Sequence, residues 1–166
     1  MRKLLLTLLL ALPLALSAQT VRFGHVSCDS LLHAMPQYAQ AERNLADLRA
    51  QYDAEMRRVE TEFNTKYEEF LDQQRDLQPT ILRKRQAELQ EMMQRNVEFR
   101  QNAERLLEQA REDAYAPLRQ RLRQVLQQIG RQRGYAFILN TDNDACPYID
   151  PALGDDITIL ALEQLK

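Results

Sequence analysis

His25, Cys28, Asp29 and His33 stand within nine residues of one another, and imidazole, thiolate and carboxylate are the groups that hold zinc. Zinc sites of this kind repeat their ligand spacing in a second pair, and none follows; His25 also falls in a strand-like alternation. The expectation is therefore no metal. Asp142-Asn143-Asp144 opens like a calcium loop, yet Cys146 and Pro147 occupy positions that require an oxygen ligand and a glycine, so the segment reads as a turn. Cys28 and Cys146 lie near the two ends of the chain, where a disulfide would tie those ends together if the Cα atoms come within about 7 Å. Two unbonded thiols are the other reading. The sequence contains no Gly-rich phosphate loop, no nucleophile elbow and no Ser-His-Asp set, and its carboxylates recur on solvated helical faces. Neither an enzyme nor a nucleotide-driven machine is expected, and no cofactor.

The elements that would position these side chains are unusually long. No glycine occurs between Gly24 and Gly130. From Gln37, apolar residues recur at Tyr38, Ala41, Leu45, Leu48, Tyr52, Met56, Val59, Phe63, Tyr67 and Phe70, a spacing between the coiled-coil and straight-helix periods. Asp76 to Thr80 interrupts the pattern, and Pro79, tolerated at a first helical position, opens a second helix. That helix carries Leu82, Leu89, Met93, Ala103, Leu107, Ala110, Ala114, Leu118, Leu122, Val125 and Ile129, with a weak stretch around Asn96 and Arg100 and a kink predicted at Pro117. Gly130 and Gly134 bracket its end.

Both ends of the chain read differently. Val21 to Ser27 alternates as a strand, with Val21, Phe23 and His25 on one face, and Asp29 or Ser30 can cap a first helical turn before Pro36. Tyr135 to Leu139 reads as a buried strand and Tyr148-Ile149 as a short one. Asp155-Asp156 then cap a terminal helix over Ile157 to Leu165. The fold class expected is α+β, mostly α: a long antiparallel helical hairpin on a small β-rich body. Residues 37–117 form the arm, with its tip near 77–81, and residues 19–36 with 118–166 form the body.

Arg2-Lys3, the apolar run Leu4 to Leu16 and the small pair Ser17-Ala18 read as a secretory signal peptide over residues 1–18, with a mature start at Gln19. An exported, soluble chain is expected, since the run is short for a span and does not recur. Without Arg2 and Lys3 the chain holds 20 basic and 24 acidic residues, which gives no support to nucleic-acid binding. The charge is uneven. Gln37 to Leu77 has 10 acidic and 6 basic residues, and Ile81 to Arg133 has 7 and 12, so two adjacent helices would attract each other. A body of 67 residues is marginal by itself, and its edge strands need cover, so self-association is expected.

The opening FGHVSCDSLLHAMPQY (Phe23 to Tyr38), the charged Gln-rich hairpin, Ala116-Pro117-Leu118, GYAFIL (Gly134 to Leu139) and TILALEQL (Thr158 to Leu165) resemble the Skp/OmpH family of periplasmic chaperones. The resemblance spans the mature chain; its motifs are short, and their order and spacing carry it. It implies a homotrimer in which a β-rich body extends helical arms around a cavity. It also implies an ATP-independent holdase that keeps unfolded outer-membrane proteins from aggregating in the periplasm. Tyr52, Met56, Phe63, Tyr67, Phe70, Met92, Met93 and Phe99 supply the aromatic and thioether groups with which arms could meet such clients. Each is also placed to pack the seam of its own hairpin. Arg83-Lys84-Arg85 is a basic patch at the tip that could touch anionic lipid, although Asp72 and Asp76, opposite, favour ion pairs across the hairpin. The best-known members of the family are strongly basic and this chain is slightly acidic, so no lipid-binding residues are carried over. The alternative function is a structural coiled-coil scaffold or spacer of the envelope, whose arms bind one fixed folded partner.

Overall fold

A computed structural model describes residues 21–165; the expected signal peptide lies outside the described residues. In chain order the elements are β1 (Phe23–Val26), α1 (Cys28–Ala34), α2 (Pro36–Gln73), α3 (Pro79–Arg133), β2 (Ile138–Asn140), a 3₁₀ turn (Asp142–Asp144), β3 (Gly154–Asp156) and α4 (Thr158–Leu165). The fold class is α+β and mostly α. Compactness divides the chain into two units: residues up to Leu31 with Arg123–Leu165, and Leu32–Leu122.

The first unit holds a three-stranded parallel sheet of order β2-β1-β3. Gly24 pairs with Ile138 on one side of β1 and with Asp155 on the other. Parallel neighbours need long crossovers, and the whole helical excursion serves as the one from β1 to β2. Gly24 and Val26 face the core, not Phe23 and His25, which are only half-buried. Behind the sheet, Val26, Leu31, Val125, Ile129, Ile157 and Ala161 are at most 2% exposed. The outer side keeps Phe23 stacked on Phe137, with ring centroids 5.3 Å apart, and Phe137, Tyr148 and Ile159 remain exposed.

The third strand lies at Gly154–Asp156 rather than at the expected Tyr148-Ile149. Asp150 explains the shift. Its carbonyl accepts the N–H groups of Leu153 and Gly154, and its carboxylate accepts that of Ala152, so the chain turns here and pairs with β1 only afterwards. Asp156 still caps α4, accepting the Thr158 N–H at 2.9 Å.

The N-terminus of α1 is capped from outside, not by Asp29 or Ser30. Ser27 Oγ accepts the Ser30 N–H, Asn140 Oδ1 accepts that of Cys28, and Asp142 Oδ2 accepts that of Asp29. The Ser27 hydroxyl donates to Asp142 Oδ1 at 2.6 Å. This use of Asp142 accounts for the turn that follows it, where Asn143 and Asp144 both take positive φ. Of the two readings of the cysteines, the unbonded one holds: Cys28 and Cys146 are separate, half-buried thiols. Cys28 is held at the first position of α1, and burial, then Asp142 and Asp29, raise its thiol and disfavour the thiolate that disulfide exchange requires. Among the described residues no cluster could hold a metal ion.

Three carboxylates of this unit titrate below the usual range. The Tyr135 hydroxyl, and then Arg22, hold Asp155 down; Thr158 does the same for Asp156. For Asp142, burial acts to raise the carboxyl, but the Ser27 hydroxyl and the Asp29 amide outweigh it. Depressed carboxylates contribute stability above their ordinary value of 3.8 and lose it as pH falls through their folded values. Urea unfolding should therefore show a lower midpoint at about pH 3 than at about pH 6. The difference should shrink in Asp142→Asn; an equal acid loss in that variant would mean the cap contributes nothing.

Candidate functional site

The second unit is the hairpin. Pro36 occupies the first position of α2 and needs no N–H there, while Met35 before it is extended. α2 has 38 residues and α3 has 55, about 57 and 82 Å at 1.5 Å per residue. At the tip, Gln74 N–H donates to Phe70 O and Asp76 N–H to Gln73 O, closing one helix before Pro79 opens the next. α3 continues past Pro117, the position of the expected kink. The proline removes one ladder bond, while Leu118 and Leu122, 6% and 4% exposed, keep that stretch packed.

The seam between α2 and α3 is closed mainly by rings near its base. Tyr38 stacks on Tyr115 with centroids 5.4 Å apart, and His33 meets Tyr38 edge-on at 4.5 Å. Further out, Tyr52 approaches Phe99 at 6.1 Å. The middle is polar, as the weak periodicity around Asn96 and Arg100 suggested. Asn96 Nδ2 donates to Val59 O at 3.3 Å, and Arg100 pairs with Glu60 at 2.5 Å. Ala103 is buried in the arm, but the large side chains beyond it toward the tip are half-buried or exposed. Grooves remain along the seam. One of about 580 Å³ is lined by Tyr38, Leu45, Leu107 and Tyr115 with charged neighbours, and another, of about 630 Å³, lies nearer the tip.

The eight side chains singled out for client contact divide into two groups. Tyr52, Met56, Phe63, Phe70, Met92 and Phe99 are half-buried. Tyr67 and Met93 are exposed, at 45% and 54%. Tyr67 also stacks on Phe63, with centroids 6.0 Å apart. Sequence reasoning missed Leu71, Val97, Ile81 and Leu106, which are exposed to a similar degree. The available signal was the spacing: Tyr67/Leu71 and Met93/Val97 are i,i+4 pairs, so each pair shares one side of its helix.

At the tip, the basic patch does not pair with Asp72 and Asp76. Arg85 and Lys84 reach Glu88 on their own helix, at 2.9 and 3.8 Å, and Arg83 Nε donates to the carbonyl of Pro79. Partners one turn away on the same helix are met without bending either arm. All three bridging groups are well exposed, so these pairs contribute little to stability.

Two long helices joined in sequence to a small three-stranded parallel sheet define the class of fold. The profile of the outer membrane protein (OmpH-like) family matches residues 22–165, and the chain belongs to that family. Among solved structures, it is similar to a protein of Caulobacter crescentus assigned as an OmpH-like outer membrane chaperone. The TM-score is 0.71 at 16% identity, over 88% of this chain and 83% of the other. A search of curated proteins found no match. Among the described residues no helix is long and apolar enough to cross a membrane.

Proposed function

We propose that this protein is an ATP-independent holdase of the periplasm, a homotrimer whose arms shelter unfolded outer-membrane β-barrels until they insert. The observation that carries this reading is the arm. Tyr67, Leu71, Met93 and Val97 stay 44–54% exposed along the two long helices. Unfolded barrel strands present alternating apolar side chains and unpaired backbone, which such an adaptable surface can cover. Self-association is supported by the body, where Phe137, Tyr148 and Ile159 are 48%, 79% and 75% exposed beside a sheet with two open edges. The scaffold reading would suit a seam closed along its whole length. The polar middle and the grooves beside it favour the holdase.

The test is a dilution assay. A urea-unfolded outer-membrane barrel is diluted with and without residues 19–166, and light scattering is followed. Suppression near one trimer per client without ATP, repeated across unrelated barrels, is the expected result. Aggregation unchecked across several barrels, with tight binding to one folded envelope protein, would replace this reading with the scaffold.

A further inference from the structure

The two grooves along the seam mix signs of charge. One has Glu42 and Glu104 beside Arg49 and Arg111, the other Glu62 and Glu88 beside Arg58 and Arg95. The sheet-bearing unit holds a groove of another kind, about 390 Å³, between the C-terminal end of α3 and the segment entering β2. Leu126, Gly130, Ala136 and Ile138 line it with apolar surface, its charged residues are Arg123 and Arg131, and it has no carboxylate. Both arginines are exposed, and neither has an ion pair among the described residues. Asp155, on β3, is already engaged by Arg22 and Tyr135. Gly130 keeps the floor open: outside its own helix, a Cβ there would meet only Ile138 Cδ1, at 3.6 Å.

We propose that this groove docks an extended acidic segment of another protein, one with acid, apolar and acid side chains at alternate positions. Arg123 and Arg131 are eight residues apart, about 12 Å along α3. A strand advances about 3.3 Å per residue, so side chains four apart on one face stand about 13 Å from each other. Carboxylates at that spacing meet both guanidiniums, which favour paired contacts with planar anions. The side chain midway between them is on the same face and lies over the apolar floor. A small dicarboxylate is too short to reach both arginines. A second copy does not supply the segment either. Beyond Gly134 the acids outside the helices are Asp142, Asp144, Asp150, Asp155 and Asp156, and no two are four apart. The site is separate from the arm and does not rest on the holdase reading. Its ion pairs form at an exposed surface, so affinity should fall as salt screens them.

Fluorescence anisotropy on residues 19–166 tests this with two labelled peptides of one composition. The first reads Thr-Glu-Thr-Val-Thr-Glu-Thr, and the second, Thr-Thr-Glu-Glu-Val-Thr-Thr, places its acids side by side. Wild type should bind the first about fivefold tighter or better, and lose about tenfold of that affinity between low and high salt. Arg123→Gln/Arg131→Gln should lose about tenfold, and each single variant part of it. Gly130→Leu fills the floor while favouring the helix, and should weaken binding with the fold intact. Arg57→Gln/Arg105→Gln removes the same charge from exposed positions on the arm and should bind as wild type does. Circular dichroism and light-scattering mass accompany each variant. Equal binding of the two peptides would reduce the arginines to a plain cationic patch and overturn the proposal. Unchanged binding in both the arginine pair and the glycine variant would overturn it as well. A fall in oligomer mass in those variants would assign the groove to contacts between copies instead.

Discussion

Replacing Ile129 by alanine should destabilise the sheet-bearing unit by about 2–5 kcal/mol, the usual cost of an emptied core position. Ile129 is fully buried, and the other core side chains of its unit come from separate elements: Leu31 from α1, Val26 from β1 and Ala161 from α4. Removing its outer carbons opens a cavity that none of these elements can fill without leaving another contact. The unit is small, and domains of this kind have only about 5–15 kcal/mol to lose. Urea unfolding by circular dichroism should therefore show a much lower midpoint. The control is Ile159→Ala on α4. That side chain is 75% exposed, so its loss should move the midpoint by about 0.5 kcal/mol or less. Equal effects at the two positions would mean that the end of α3 does not pack behind the sheet.

Gly154→Ala should cost about 1–3 kcal/mol for the opposite reason, because it adds an atom where there is no room. A Cβ at this position would lie 2.6 Å from Ile149 Cγ2 and 2.7 Å from Phe23 Cε2. Phe23 cannot simply withdraw, since its ring is stacked on Phe137. β3 pairs directly with Phe23 through Gly154, so any retreat of the backbone also strains the sheet. A thermal melt measures the loss. Adding Phe23→Leu to Gly154→Ala should recover part of it, by clearing the crowded side. An undiminished loss in the double variant would place the clash on Ile149 instead. Gly134 differs in kind: its φ of +66° suits glycine, but a Cβ there would meet nothing within 4 Å.

Both positions show where local sequence pattern stops being informative. Gly154 looks like a turn glycine after Pro151, and only contact with Phe23 makes it part of a strand. Tyr148-Ile149 has the better strand composition, yet Asp150 folds the chain away and leaves Tyr148 79% exposed. The cap of α1 was misplaced for a related reason. Asp142 lies 113 residues from the amide it accepts, and no short motif can report such a pairing.

On the arm, the half-buried seam side chains follow from the apolar spacing, whereas the exposure of Tyr67, Leu71, Met93 and Val97 does not. Tyr67 continues the seam spacing, but it sits about 60° to one side of the seam line once α2 is wound at 3.6 residues per turn. Met93 and Val97, on the Arg100 side of the seam, come from the other helix. Their common side is visible only through a contact such as Glu60–Arg100. The tip cations are the opposite case: their partner Glu88 lies three and four residues away on the same helix, a local pairing that took precedence over Asp72 or Asp76 across the turn.

What the sequence alone determined was set by neighbours a few residues apart: two long helices, the starts at Pro36 and Pro79, the end at Gly134, and the α+β class. These follow from backbone sterics, hydrogen-bond spacing and the 3.6-residue period, which act locally. Tertiary structure decided which residues form the third strand, what caps α1, that the cysteines stay unbonded, and which side chains of the two long helices meet. Each of those depends on groups brought together from distant parts of the chain, and their distance in space is not written in their spacing along it.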